Sequence, residues 1–136
     1  MVLLFLRIII RTCEACGVKN IIIPKDRGVT VNDTVVKTST GALSRVNIIM
    51  VTNLVSAINE LKRDGYFVYS AEADGEDFRK VDYNDKKLLV IGSEGNGLSK
   101  IVRNNSDVII SIPMKGEVNS LNASVAAAIL IYGIGE

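Results

Sequence analysis

The sequence predicts an α/β domain with a mainly parallel sheet flanked by helices. Three observations carry that expectation. Apolar runs of five to seven residues alternate with segments of helical period along the chain, the arrangement expected of strands joined by crossover helices. The 136 residues are 48% hydrophobic, enough to bury a core at single-domain size. Only two prolines occur, Pro24 and Pro113, each just after an apolar run, and no repeat or low-complexity linker divides residues 1–136.

Residues 2–6 read as a strand feeding a helix with Ile9, Ile10, Cys13 and Cys16 on one side, stopped by Gly17. A buried strand follows at 20–24, a loop at 25–32, and a short helix over 33–44 that Gly41 interrupts. Residues 47–52 are β-branched and apolar, hence a strand. Leu54, Val55, Ile58 and Leu61 recur at helical spacing between an Asn53 cap and Gly65, the clearest amphipathic helix in the chain. Residues 66–71 return as a strand. The polar stretch 72–87 reads as a loop with a bend at Asp74-Gly75, and residues 87–91 form the next buried strand. A short helix over 98–104, a strand over 107–113 and an Ala- and Ile-rich helix over 121–131, buried on nearly all faces, complete the order.

Composition excludes several chemistries. Sixteen Lys and Arg against fifteen Asp and Glu leave a net charge of +1, so any nucleic-acid contact must be a local patch. The absence of histidine removes imidazole-dependent triads, the HExxH metal site and the neutral-pH proton shuttle. Cys13 and Cys16 form a single CxxC, too few ligands for a zinc finger within one chain, which leaves a redox pair or two small helix residues. The apolar start, residues 1–10, is too short to span a bilayer and has no basic segment before it, and a cytoplasmic location is expected.

Two loops and one arginine stand out as candidates for chemistry. In open α/β sheets ligands bind at the carboxyl ends of strands, where short loops expose backbone groups. Gly92, Gly95 and Gly97 follow a strand and permit close backbone approach, although the run is neither a GxGxxG nor a Walker A pattern; it is either a ligand-wrapping turn or a simple chain reversal. Ile112-Pro113-Met114 through Asn119-Ser120-Leu121-Asn122 place Ser120 and Asn122 around a helix start, where they cap the helix or form a polar niche. Arg11, after three isoleucines, needs either a carboxylate or a phosphate partner.

With those three segments in that order, the chain resembles the SpoU/TrmH branch of the SPOUT superfamily, S-adenosylmethionine-dependent RNA ribose 2′-O-methyltransferases. The motifs read Ile9-Ile10-Arg11-Thr12, then Ile91-Gly92-Ser93-Glu94-Gly95-Asn96-Gly97-Leu98, then Ile112-Pro113-Met114 with Ser120-Leu121-Asn122-Ala123; Lys37-Thr38-Ser39-Thr40-Gly41-Ala42 matches a further family stretch. The resemblance implies a C-terminal trefoil knot, an exception to the rule against threaded chains. It implies cofactor binding by Gly92, Gly97, Ile112, Met114 and Leu121, and catalytic roles for Arg11, Glu94, Ser120 and Asn122. No metal is implied; the partners are rRNA or tRNA and a second copy of the chain in a homodimer.

The family pattern breaks at its first motif. Where relatives carry Asn and Gly before the Ile-Ile-Arg-Thr segment, this chain has Phe5 and Arg7, and no segment matches the separate RNA-binding domain that many relatives carry. The first strand is expected to be incomplete. The alternative function is therefore a catalytically impaired protein that binds cofactor or RNA without methylating. Arg11, Lys25, Arg27, Lys37, Arg45 and Lys115 would supply an RNA patch if the fold gathered them.

Overall fold

The structure is a computed structural model of the chain, and it describes residues 1–5, 13, 15–24, 47–92, 98–116 and 123–135. Among the described residues six strands form one sheet: β1 (Val2–Phe5), β2 (Asn20–Pro24), β3 (Asn47–Val51), β4 (Phe67–Asp77), β5 (Lys87–Ile91) and β6 (Val108–Ser111). Their order is β3-β2-β1-β5-β4-β6, and every pairing is parallel. Three helices are described, α1 (Leu54–Arg63), α2 (Lys100–Asn104) and α3 (Ala123–Ile134), with a 3-10 turn at Phe78–Lys80. The short helix expected at 33–44 lies outside the described residues.

Alternation along the strands explains how one sheet feeds two cores. Ile21, Ile23, Tyr69, Leu89 and Ile91 pack on one face with Ala127, Leu130, Ile131 and Ile134 of α3. Ile22, Val68, Leu88 and Val90 point the other way, onto Ile58 of α1 and Val102 of α2. A parallel sheet covered on both faces needs uninterrupted apolar runs, and the all-buried Lys87–Ile91 strand meets that need.

The local signals act where the sequence placed them. The Asn53 side chain accepts the Ser56 N–H at 3.0 Å and caps α1. Cys13 and Ala15 are helical, Gly17 has φ +80°, and the Val18 N–H reaches back to the Cys13 carbonyl at 2.8 Å. That six-to-one bond closes a Schellman stop, and Cys13 and Val18 join the same core. Burial pushes the Cys13 thiol up to about 12, with Cys16 adding to the effect, so this thiol is inert packing and not one half of a reactive redox pair.

Two expectations are corrected. The stretch from Glu72 is not loop: β4 continues to Asp77, and Ile110 of β6 is in register with both Ala71 and Glu76, so residues 72–75 form an outward excursion within the strand. Gly75 makes it possible, because a Cβ there would lie 2.6 Å from backbone atoms of Ile109 and Ile110. Nor is α3 buried on nearly all faces. Val125, Ile129 and Tyr132 are exposed at helical spacing, Tyr132 by 78%. Among the described residues no helix is long and apolar enough to cross a membrane.

Candidate functional site

β4 separates the two strands whose ends attracted attention in the sequence. Ala71 is in register with Ile91 of β5 on one side and with Ile110 of β6 on the other. Because all three strands are parallel, the chain leaves β5 and β6 at the same sheet edge, about 10 Å apart at two interstrand spacings. Gly92 follows β5 and is half-buried; Ile112 and Met114 follow β6 and are half-buried. On the far side of β5, Phe5 of β1 is in register with Ile91. β1 therefore ends beside the strand that leads to Gly92.

Of the residues singled out in the sequence, Gly92, Ile112 and Met114 are brought to this edge. Arg11, Glu94, Gly97, Ser120, Leu121 and Asn122 lie outside the described residues, as do Lys25, Arg27, Lys37 and Arg45 of the candidate RNA patch. Lys115, just past Met114, is exposed. Ile112 packs against the α3-side core, giving this edge an apolar wall beside a residue without a side chain.

Sequence reasoning missed a polar cluster at the same edge. Glu72, where β4 begins its excursion, accepts the backbone N–H of Leu98 at 3.3 Å, and Leu98 is the first described residue after the glycine-rich turn. Glu72 also pairs with Arg103 of α2. Arg103 forks onto Asp74, with Nη1 to Oδ1 at 3.0 Å and Nη2 to Oδ2 at 2.8 Å. That fork holds the Asp74 carboxyl below the usual carboxylate range and raises the Arg103 guanidinium further above its own. On the other side of the excursion, the Ser111 hydroxyl donates to the Gly75 carbonyl at 2.8 Å, immediately before Ile112. Among the described residues no group of three or more His, Cys, Asp or Glu is placed to hold a metal ion.

The SpoU rRNA Methylase family model matches residues 8–132. The chain belongs to that family. It is 50% identical over 127 residues to a Staphylococcus haemolyticus protein assigned to the TrmH family of tRNA/rRNA methyltransferases, a match covering 93% of this chain and 51% of that protein. The chain thus spans about half the length of the curated relatives it matches. Solved structures give the same answer. The A. aeolicus TrmH/SpoU tRNA modifying enzyme aligns with TM-score 0.83 at 30% identity, covering 98% of this chain and 72% of that one. The SpoU methyltransferase AviRb from Streptomyces viridochromogenes, in complex with the cofactor AdoMet, aligns with TM-score 0.85 at 28% identity, covering 98% and 58%. The cofactor of this SpoU family is S-adenosylmethionine.

Proposed function

We propose that residues 1–136 form a single SPOUT-type catalytic domain that transfers a methyl group from S-adenosylmethionine to a ribose 2′-hydroxyl of rRNA or tRNA. The carrying observation is that β5 and β6 flank β4, so the turns after Ile91 and Ser111 start from one sheet edge in a chain of the SpoU family. The described residues fit the cofactor: Gly92 offers backbone without a side chain, and half-buried Ile112 and Met114 offer an apolar surface for a purine. Gly97 and Leu121 complete the binding set in this reading, in which the C-terminal loops are knotted.

S-adenosylmethionine, when bound, supplies an electrophilic methyl on a sulfonium. The chain must then position a 2′-oxygen in line and manage one proton. Arg11 is a poor base because guanidinium keeps its proton to above about pH 12; its role is to bind the neighbouring phosphate and stabilise developing alkoxide charge. Glu94, Ser120 and Asn122 orient the nucleotide and the arginine. The 2′-hydroxyl selects RNA over DNA. The reaction belongs to the cytoplasm, where rRNA and tRNA are at hand.

A homodimer is part of the proposal, supported by the exposed apolar row of Val125, Ile129 and Tyr132 on α3. A second reading, binding without methyl transfer, is favoured by one observation: Phe5 stands at the last β1 pair, opposite Ile91, where the family pattern has an asparagine. Incubation of the chain with labelled S-adenosylmethionine and rRNA or tRNA separates the two. Transfer to a ribose 2′-oxygen, lowered in Arg11→Ala with S-adenosylhomocysteine affinity retained, is the expected result. No transfer to any RNA pool overturns the enzymatic reading.

A further inference from the structure

We propose that Glu72 and Arg103 are positioning residues of the cofactor site, locking the chain where it leaves the glycine-rich turn. The inference rests on the reading of the turns after β5 and β6 as cofactor walls, and it assigns to β4 the task of setting their spacing.

The geometry of β4 makes the case. A parallel strand between two neighbours would ordinarily run on in register, yet residues 72–75 leave the ladder and Ile110 meets β4 again at Glu76. The excursion gives up regular pairing at the edge where the two turns begin. What it provides is contact with the chain that flanks each of them. At its start, Glu72 uses one oxygen for the Leu98 N–H and the other for Arg103. At its end, the carbonyls of Gly75 and Glu76 receive the Ser111 hydroxyl, at 2.8 and 3.3 Å, one residue before Ile112. Asp74 between them holds the second nitrogen of Arg103.

As a stability device the cluster is weak. The Arg103 side chain is 38% exposed and that of Asp74 is 65% exposed, and solvent screens ion pairs of such exposure. Glu72 is different because its second partner is a backbone amide at the exit of the turn. Fixing Leu98 pre-orders the chain between the cofactor walls and α2, which appears as affinity and not as folding stability. The prediction is thus a separation of the two quantities.

Glu72→Ala and Glu72→Gln test it in the full chain, with S-adenosylhomocysteine titrated by calorimetry, melting followed in parallel and amide hydrogen exchange read at Leu98. Glu72→Ala is expected to raise Kd about tenfold and to speed Leu98 exchange, with Tm within about 4 °C of the parent. Glu72→Gln keeps an acceptor for the Leu98 N–H and is expected to hold Kd within about threefold of the parent and to restore most of the Leu98 protection. A parent that binds while Glu72→Ala binds equally tightly overturns this inference and leaves the site reading standing. So does an affinity loss in both variants that merely follows the fall in Tm. A parent that binds no S-adenosylhomocysteine overturns the site reading itself, and this inference with it.

Discussion

The strands β4 and β6 are held by polar groups at both ends, and the two ends differ in what those groups touch. At the amino end, Asp107 receives the Val68 N–H on its carboxylate at 2.7 Å and returns its own N–H to the Val68 carbonyl at 2.9 Å. Lys62 of α1 approaches the same carboxylate at 3.6 Å, and Ser70 and Ser106 share a hydrogen bond below the sheet edge. Register is regular there, Tyr69 to Val108 and Ser70 to Ile109. At the carboxyl end register is broken, and the polar groups of the excursion reach the chain on either side instead of completing the ladder. One end uses side-chain chemistry to continue the sheet. The other uses it to shape the edge from which Gly92 and Ile112 depart.

Substitutions that act on one end and spare the other sharpen this contrast. The largest effect is expected from Gly75→Ala, since the added methyl would sit 2.6 Å from three backbone atoms of Ile109 and Ile110, none of which can rotate away. A loss of about 3 kcal/mol in chemical denaturation is expected, together with a fall in S-adenosylhomocysteine affinity. An unchanged midpoint would break the description of the excursion as close-packed. Asp107→Ala comes next: the Val68 N–H loses its acceptor, and stability should fall by about 2 kcal/mol with the denaturant slope unchanged. Its affinity for S-adenosylhomocysteine should stay within about twofold of the parent, whereas a larger change would erase the distinction between the ends.

Smaller effects follow from the charges beyond the excursion. Side-chain and backbone hydrogen bonds from Arg79 hold Asp77 at about 2, below its ordinary 3.8. Because the folded value is depressed, this stabilisation is fully present above pH 3.8 and is lost as pH falls toward 2. Denaturation midpoints of the parent and Asp77→Asn should therefore converge across that window. Cys13 runs in the opposite sense. Its raised value means that its contribution is complete below pH 9.0 and declines as pH rises toward 12, so at mild alkaline pH a thiol reagent should modify Cys13 only after unfolding. Native-state labelling of Cys13, read by mass spectrometry, would contradict its burial.

Much of the fold was legible because its signals are local. Five consecutive buried positions mark β5, Asn53 marks the start of α1, and Gly17 and Gly65 mark stops by their positive φ. The positions of Gly92 and Met114 just past strands were legible for the same reason, whereas Ile112, expected inside a strand over 107–113, follows β6, which ends at Ser111. The second half of β4 was not, since residues 72–77 are polar and only partly buried, and pairing with β6 alone makes them a strand. The exposed row on α3 escaped notice because Val125 and Ile129 are as apolar as the buried residues beside them, so hydropathy gives no face. Glu72 and Arg103 were invisible for a topological reason: 31 residues separate them, and only the crossing from β5 to β6 over β4 brings α2 beside the excursion.

The central claim is that the turns after β5 and β6 are walls of one S-adenosylmethionine cavity, and a calorimetric titration of the full chain tests it most directly. Saturable heat with S-adenosylhomocysteine at one ligand per chain, none with ATP, and none with S-adenosylhomocysteine in Gly92→Val is the predicted result. Absence of heat with S-adenosylhomocysteine in the parent, or equal binding by Gly92→Val, would contradict it.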